Sequence, residues 1–335
     1  MTTTTLSKLE RILPILMHDN IPVMMWGPSG IGKTESAQQL ATNAKVPLID
    51  WRTNLRDPVD ARGLPVPKLA ENITQWLRSS DLPFKGGKFP KKGVLLLDEI
   101  NTGSQAMQNV CLQLVLERRV GEHVLEDGWW IMATGNRVKD KGAITRMGQP
   151  LKNRFAHFEV EPDVESSISH GIRIGIDQRL LAFLRFKKEH LHCPPVNDDV
   201  NAFPTPRQWF QNVNRYLDQP RDIRPHMIQA MVGERPAVDL EGFLRVYHEL
   251  PTFAEVVKNP EGANVPQEPA ARFAVSMMLA REATRNHFGQ VWKYAKRLGR
   301  ELEIHTMIDA TRHAPMLTET STYGEFAIAN QDILL

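Results

Sequence analysis

At 335 residues the chain exceeds the size at which one hydrophobic core usually stops growing, which predicts two domains. Its 41 basic and 39 acidic residues leave a net charge of +2, too close to neutrality to attract polyanions or anionic membrane, so composition does not imply nucleic acid. No apolar run approaches the ~20 residues of a membrane-spanning helix, and the Met1 to Lys8 start lacks the zones of a signal peptide, so the expectation is a soluble, cytoplasmic protein.

In chain order, the threonine run at 2 to 5 reads as a disordered tip. Short apolar runs then alternate with helical patterns, as in a parallel sheet covered by helices. Pro22 to Trp26, Pro47 to Trp51, Val94 to Leu97, Trp130 to Ala133 and His157 to Val160 are the predicted strands. Val94, Leu95, Leu96 and Leu97 are apolar without alternation, which predicts a central strand covered on both faces. Met107, Val110, Cys111, Leu114 and Val115 repeat at helical spacing behind a cap at Thr102 or Ser104, with Cys111 expected as a buried free thiol. With Cys193 as the only other cysteine, no disulfide framework is possible. Arg119 to Gly128 reads as a short hairpin.

Composition shifts near Pro162, giving an α/β domain over 1–162 and a helical region over 163–335. Helical patterns follow at Leu180 to Leu184, Trp209 to Tyr216, Leu240 to Leu250 and Phe273 to Leu279, and the proline-rich stretch Lys258 to Pro269 reads as a linker or surface loop.

Gly27, Pro28, Ser29, Gly30, Ile31, Gly32, Lys33 and Thr34 spell GxxxxGK[ST] between a predicted strand and the helical run Glu35 to Ala44, the context that a phosphate-binding loop requires. The glycines let successive N–H groups and the helix N-terminus face phosphates, Lys33 neutralises the β and γ oxygens of ATP, and Thr34 ligates Mg2+. Asp98 ends an apolar strand, where it serves as the second metal ligand. Glu99 directly after it suits the orientation and polarisation of an attacking water. Asn136 ends another strand, in Ala133-Thr-Gly-Asn136, where it would help place that water. The transition state also needs positive charge, for which Arg154 in Leu151-Lys-Asn-Arg-Phe155 is the first candidate and Arg146 the reserve.

The order GPSGIGKT, LLLDEIN, ATGNR and LKNRF, with Phe203-Pro-Thr-Pro-Arg207-Gln-Trp209, resembles the AAA+ superfamily and, within it, the MoxR-type ATPases. Asp57 to Pro65, DPVDARGLP, adds to that likeness. The resemblance covers residues 10 to about 217. It implies a P-loop AAA+ core with a central parallel sheet, followed by an all-α lid and a helical C-terminal extension. Under it Gly27 to Thr34 is Walker A, Asp98 and Glu99 are Walker B, and Asn136 is sensor 1. Arg154 becomes a finger acting on a neighbour's nucleotide, and Arg207 the sensor 2 arginine of the lid. Lys152 and Asn153 depart from the common LDRF form, which leaves Arg146 in play.

The family also implies a homo-oligomeric ring, usually a hexamer, that remodels a protein client together with a separate protein bearing a von Willebrand factor A domain. Two rivals carry other functions: a nucleic-acid motor or restriction-type translocase, and a nucleotide-gated switch that barely turns over.

Three further features have plainer readings. Lys85 to Lys92 is a basic loop, read as solvated, with a central pore or a nucleic acid as the alternative. His190, His192 and Cys193 fall short of the four ligands a structural zinc site wants. Lys293 to Arg300, with Trp292 and Tyr294, reads as a helix with charge outward and aromatics inward rather than a base-stacking platform.

Overall fold

The computed structural model describes residues 2–140, 145–195, 201–247 and 250–334. The chain divides into two compact units, Met1–Glu161 and Pro162–Leu335.

In the first unit, strand β1 (Thr2–Thr4) leads into helix α1 (Leu6–His18), followed by β2 (Val23–Trp26), α2 (Lys33–Asn43) and β3 (Leu48–Arg52). A short helix α3 (Pro58–Arg62) precedes the strands β4 (Leu64–Lys68) and β5 (Ile73–Leu77). Then come β6 (Lys92–Asp98), α4 (Gln105–Glu117), β7 (Arg119–Val120), β8 (His123–Val124), β9 (Gly128–Gly135), α5 (Gln149–Lys152) and β10 (Ala156–Val160). Six strands form one sheet in the order β1-β10-β2-β9-β6-β3, every pairing parallel.

The register explains the unbroken apolar run of β6, in which Leu96 lies opposite Asp50 of β3 and Met132 of β9. Leu95 and Leu97 pack on one face with Met107, Cys111 and Leu114 of α4, and Val94 and Leu96 on the other with Leu9 and Leu13 of α1 and Leu40 of α2. Both faces are covered, so polar residues have no place in that strand. Burial pushes the Cys111 thiol up to about 12, which keeps it protonated and inert. Ser104, not Thr102, caps α4, its side chain accepting from the Met107 N–H.

The threonine run corrects the sequence reading: it is an edge strand, with Thr2, Thr3 and Thr4 in register with Phe158, Glu159 and Val160. β-Branched residues suit such an edge, and the Glu161 N–H donates to the Thr4 carbonyl at 3.2 Å. Arg119 to Gly128 does form a hairpin, β7 against β8.

The second unit is helical: α6 (Val164–Arg173), α7 (Gln178–Phe186), α8 (Arg224–Val232), α9 (Glu234–Tyr247), α10 (Phe253–Lys258), α11 (Pro269–Glu282), α12 (Phe288–Leu298), α13 (Arg300–His313), α14 (Ser321–Ala329) and α15 (Gln331–Leu334). Helix α11 is buried nearly all round, with Ala274 and Met277 facing one core and Val275, Met278 and Leu279 another, so it forms the spine of the unit. Trp209 to Tyr216 is a π-turn over Gln208–Asn212 followed by a 3-10 turn over Val213–Tyr216, in place of a regular helix. The segment between α10 and α11 is a loop fixed at several points: Tyr294 donates to the Asn264 carbonyl at 2.5 Å and Arg297 to the carbonyls of Pro260 and Ala263, each at 2.8 Å. Among the described residues no helix is long and apolar enough to cross a membrane.

Candidate nucleotide site

The site lies at the carboxyl ends of β2, β9 and β6, where a parallel sheet opens a crevice. Residues 27 to 32 join β2 to α2, and the sequence folds as a loop there because Gly30 and Gly32 take φ values of 78° and 100°, open to glycine without strain. Gly27 is required for a different reason. A Cβ at that position would stand 2.7 Å from the Val160 carbonyl oxygen, so only bare backbone passes the end of β10. The Gly27 N–H donates to the Gly135 carbonyl at 3.2 Å, tying the loop to β9.

Lys33 opens α2 and is 9% exposed. Its ammonium donates to the carbonyls of Gly27 at 2.7 Å and Pro28 at 2.8 Å. Burial pulls its pKa from the ordinary 10.5 down to about 8, against the attraction of Asp98, Asp140 and Glu99. A buried ammonium bonded to neutral carbonyls is well placed to gain from an anion.

Next to it, the Thr34 hydroxyl lies 3.2 and 3.4 Å from the two carboxylate oxygens of Asp98. Hydroxyl and carboxylate oxygens side by side are the hard donor set that Mg2+ takes, usually alongside substrate phosphates and water, so these two residues fit the metal. Thr134 of β9 holds the pair in place: its hydroxyl donates to Asp98 Oδ1 in a short bond and accepts the Glu99 N–H at 3.0 Å.

Glu99 sits just past β6 at a φ of 53°, a left-handed conformation that costs a non-glycine residue roughly 1–3 kcal/mol and clusters at functional sites. Neighbouring side chains over-determine it. The hydroxyls of Thr53 and Thr102 approach its carbonyl at 2.9 and 2.8 Å, and the Asn54 amide donates to its carboxylate at 2.7 Å. Sequence reasoning alone does not single out Thr53, Asn54 or Thr134. Partners 35 to 46 residues away leave no local signature, although the polar Thr53-Asn54 step after a strand is a visible signal.

The loop from Gly27 to Thr34, Asp98, Glu99 and Asn136 thus gather at one sheet edge. Asn136 is half-buried immediately beyond β9. The arginines differ. Arg154, just after α5, and Arg146 are exposed, and neither side chain has an ion-pair or hydrogen-bond partner among the described residues. Arg207 belongs to the second unit, exposed at the start of the π-turn. Arg137, by contrast, is held by Asp140, Glu159 and Glu161; burial opposes its charge, but the three carboxylates raise its pKa.

The remaining features have partners within the chain. His190 is buried, with Nε2 2.6 Å from an Asp239 oxygen and its ring stacked on Phe183. Trp292 and Tyr294 face inward on α12 while Lys296 lies over the Trp292 ring. The basic loop is exposed but pinned, with Lys85 paired to Asp127 at 3.0 Å and Phe89 edge-on to Trp129.

No family model matches the chain, and no curated protein does. Among solved structures it is similar to NtrX from Brucella abortus in complex with ATP, at 15% identity and a TM-score of 0.42, covering 97% of this chain and 68% of that one. It is also similar to a mutant of RuvB from Thermotoga maritima, at 16% identity and a TM-score of 0.42, covering 79% of each chain. The architecture itself is α/β: a P-loop at the carboxyl end of an inner strand of a parallel sheet, followed by a helical C-terminal region.

Proposed function

We propose that this chain is an ATP-hydrolysing AAA+ protein of MoxR type. The observation that carries the reading is the convergence of three chemistries at one sheet edge: the buried Lys33 ammonium on the glycine loop, the Thr34–Asp98 oxygen pair 3.2 Å apart, and the Glu99 carboxylate held by Asn54. The backbone N–H groups of Gly27 to Thr34 bind the phosphates and Lys33 neutralises them. Thr34 and Asp98 would hold Mg2+, which would supply positive charge to offset that of the phosphates. Glu99 accepts a proton from the attacking water, and Asn136 orients it.

In this reading Arg154, with Arg146 in reserve, completes a neighbour's site in a hexameric ring, and Arg207 belongs to the lid, which together with a helical C-terminal extension makes up residues 163–335. The work is done on a protein client, with a von Willebrand factor A domain protein as a separate partner. The slow-switch alternative is favoured by one observation, the Asn54–Glu99 bond, which engages one oxygen of the carboxylate that must meet water. ATP turnover by the parent and by Glu99→Gln decides the question. Hydrolysis falling by ~100-fold or more in Glu99→Gln supports the ATPase, as expected for loss of a general base. A parent that binds ATP without turning it over leaves the switch, and a Glu99→Gln variant as active as the parent removes Glu99 from the chemistry.

A further inference from the structure

We propose that Asn101 is a positioning residue, clamping the backbone of Asn136 and so fixing where that side chain meets the attacking water. The inference rests on the ATPase reading above. Strand β9 ends at Gly135, so Asn136 stands beyond the sheet ladder with no strand partner to hold it. Asn101 supplies the missing partner. Its Nδ2 donates to the Asn136 carbonyl at 2.7 Å, and the Asn136 N–H donates to its Oδ1 at 3.0 Å. One planar amide thus satisfies both the donor and the acceptor of one residue, as a neighbouring strand would. The side chain is 3% exposed, so neither bond competes freely with water.

Two surrounding features fit this role. A Cβ on residue 135 would stand 2.7 Å from Asn101 Oδ1 and 2.6 Å from the Met24 methyl, so Gly135 leaves the room the amide needs. The Asn101 carbonyl also accepts the Thr145 N–H at 2.7 Å, and Gln108 Nε2 lies 3.4 Å from the Thr145 carbonyl. The same residue therefore holds both the Asn136 backbone and the residue that precedes Arg146. The Thr145 bond uses the Asn101 main chain, but only a side chain with a donor and an acceptor on one planar group can make both bonds to Asn136. Asn101→Asp keeps the size but sets an oxygen against the Asn136 carbonyl.

The test combines kinetics with amide exchange. Asn101→Asp is expected to lower kcat by about 100-fold, the effect of a ~1 Å misplacement near the chemistry, with KM for ATP changed by less than about twofold. The double variant Asn101→Asp/Asn136→Ala should turn over no more slowly than Asn136→Ala alone, because both act through one group. Losses that multiply, or a parent-like kcat in Asn101→Asp, overturn the proposal. Should the variant fold poorly, amide exchange in the parent still decides. A slowly exchanging Asn136 N–H supports the clamp, and exchange as fast as an exposed loop amide overturns it. A parent without ATP turnover overturns the catalytic role together with the ATPase reading, while a turning-over parent with unclamped Asn136 overturns this inference alone.

Discussion

Each unit buries a cation, and the two treat it in opposite ways. In the helical unit Arg185 is 1% exposed, bonded through Nε and Nη2 to Glu165 at 3.0 and 2.8 Å and through Nη1 to the equally buried Asp309. Burial opposes the Arg185 charge, but Asp309 and Glu165 outweigh it and its pKa rises. In the α/β unit Lys33 is buried nearly as deeply but bonds to two neutral carbonyls, and there burial wins and its pKa falls to about 8. A buried cation with carboxylate partners is satisfied and structural, whereas one held by neutral carbonyls stands to gain from an anion. Among arginines nearer the surface the contrast runs between residues and not between units: Arg179 is tied to Asp177 and Asp218 and Arg137 to Asp140, Glu159 and Glu161, while Arg154 has no partner among the described residues.

The largest effect should come from the unpaired arginine. If Arg154 completes a neighbour's site, Arg154→Ala should cut ATP turnover by about 1000-fold or more with nucleotide binding retained, the usual size for a finger. Mixing it with Lys33→Ala should restore part of the activity, because each variant keeps what the other lacks. Restoration by Arg146→Ala with Lys33→Ala, but not with Arg154→Ala, would move the role to Arg146.

The satisfied arginine should behave differently. Arg185→Leu leaves Asp309 buried without its main cation and should destabilise the helical unit by about 3–5 kcal/mol, read as a fall in denaturation midpoint. Nucleotide affinity per folded molecule should stay unchanged. A variant as stable as the parent would make the buried pair dispensable and erase the contrast with Lys33.

How far this contrast can be read from sequence depends on distance along the chain. The P-loop, the Asp98-Glu99 pair and the apolar β6 are legible because their chemistry lies within a few consecutive residues. Arg185 and Asp309 meet across 124 positions, and nothing local to Leu184 to Phe186 announces an ion pair. The same holds for Asn54 and Thr134 around Glu99. The β4–β5 hairpin escapes sequence reading for another reason: Leu64, Val66, Ile73 and Leu77 are all exposed, and Pro65 and Pro67 conceal the strand pattern.

A smaller effect follows from pH. With its folded pKa lowered from 10.5 to about 8, Lys33 is charged below pH 8 in folded and unfolded chains alike, and it loses its proton first in the folded protein above that pH. The cost of burying the charge is therefore present below pH 8 and is relieved as pH rises towards 10.5, so this group adds stability in that window. Phosphate binding should respond in the opposite direction. Affinity for ATP should be level below pH 8 and fall by up to about tenfold per pH unit above it, with proton uptake on binding near pH 8. Level affinity from about pH 7 to about pH 9.5 would mean that Lys33 keeps its proton throughout that range or does not meet the phosphates.

The most direct measurement is titration calorimetry of Mg·ATP into the parent and into Lys33→Ala, each first shown to be folded by circular dichroism. The account predicts saturable binding to the parent, and an affinity loss of at least about tenfold in Lys33→Ala, the least expected on removing a charge-assisted bond worth roughly 1.5–3 kcal/mol. Equal affinity in the two proteins would contradict it.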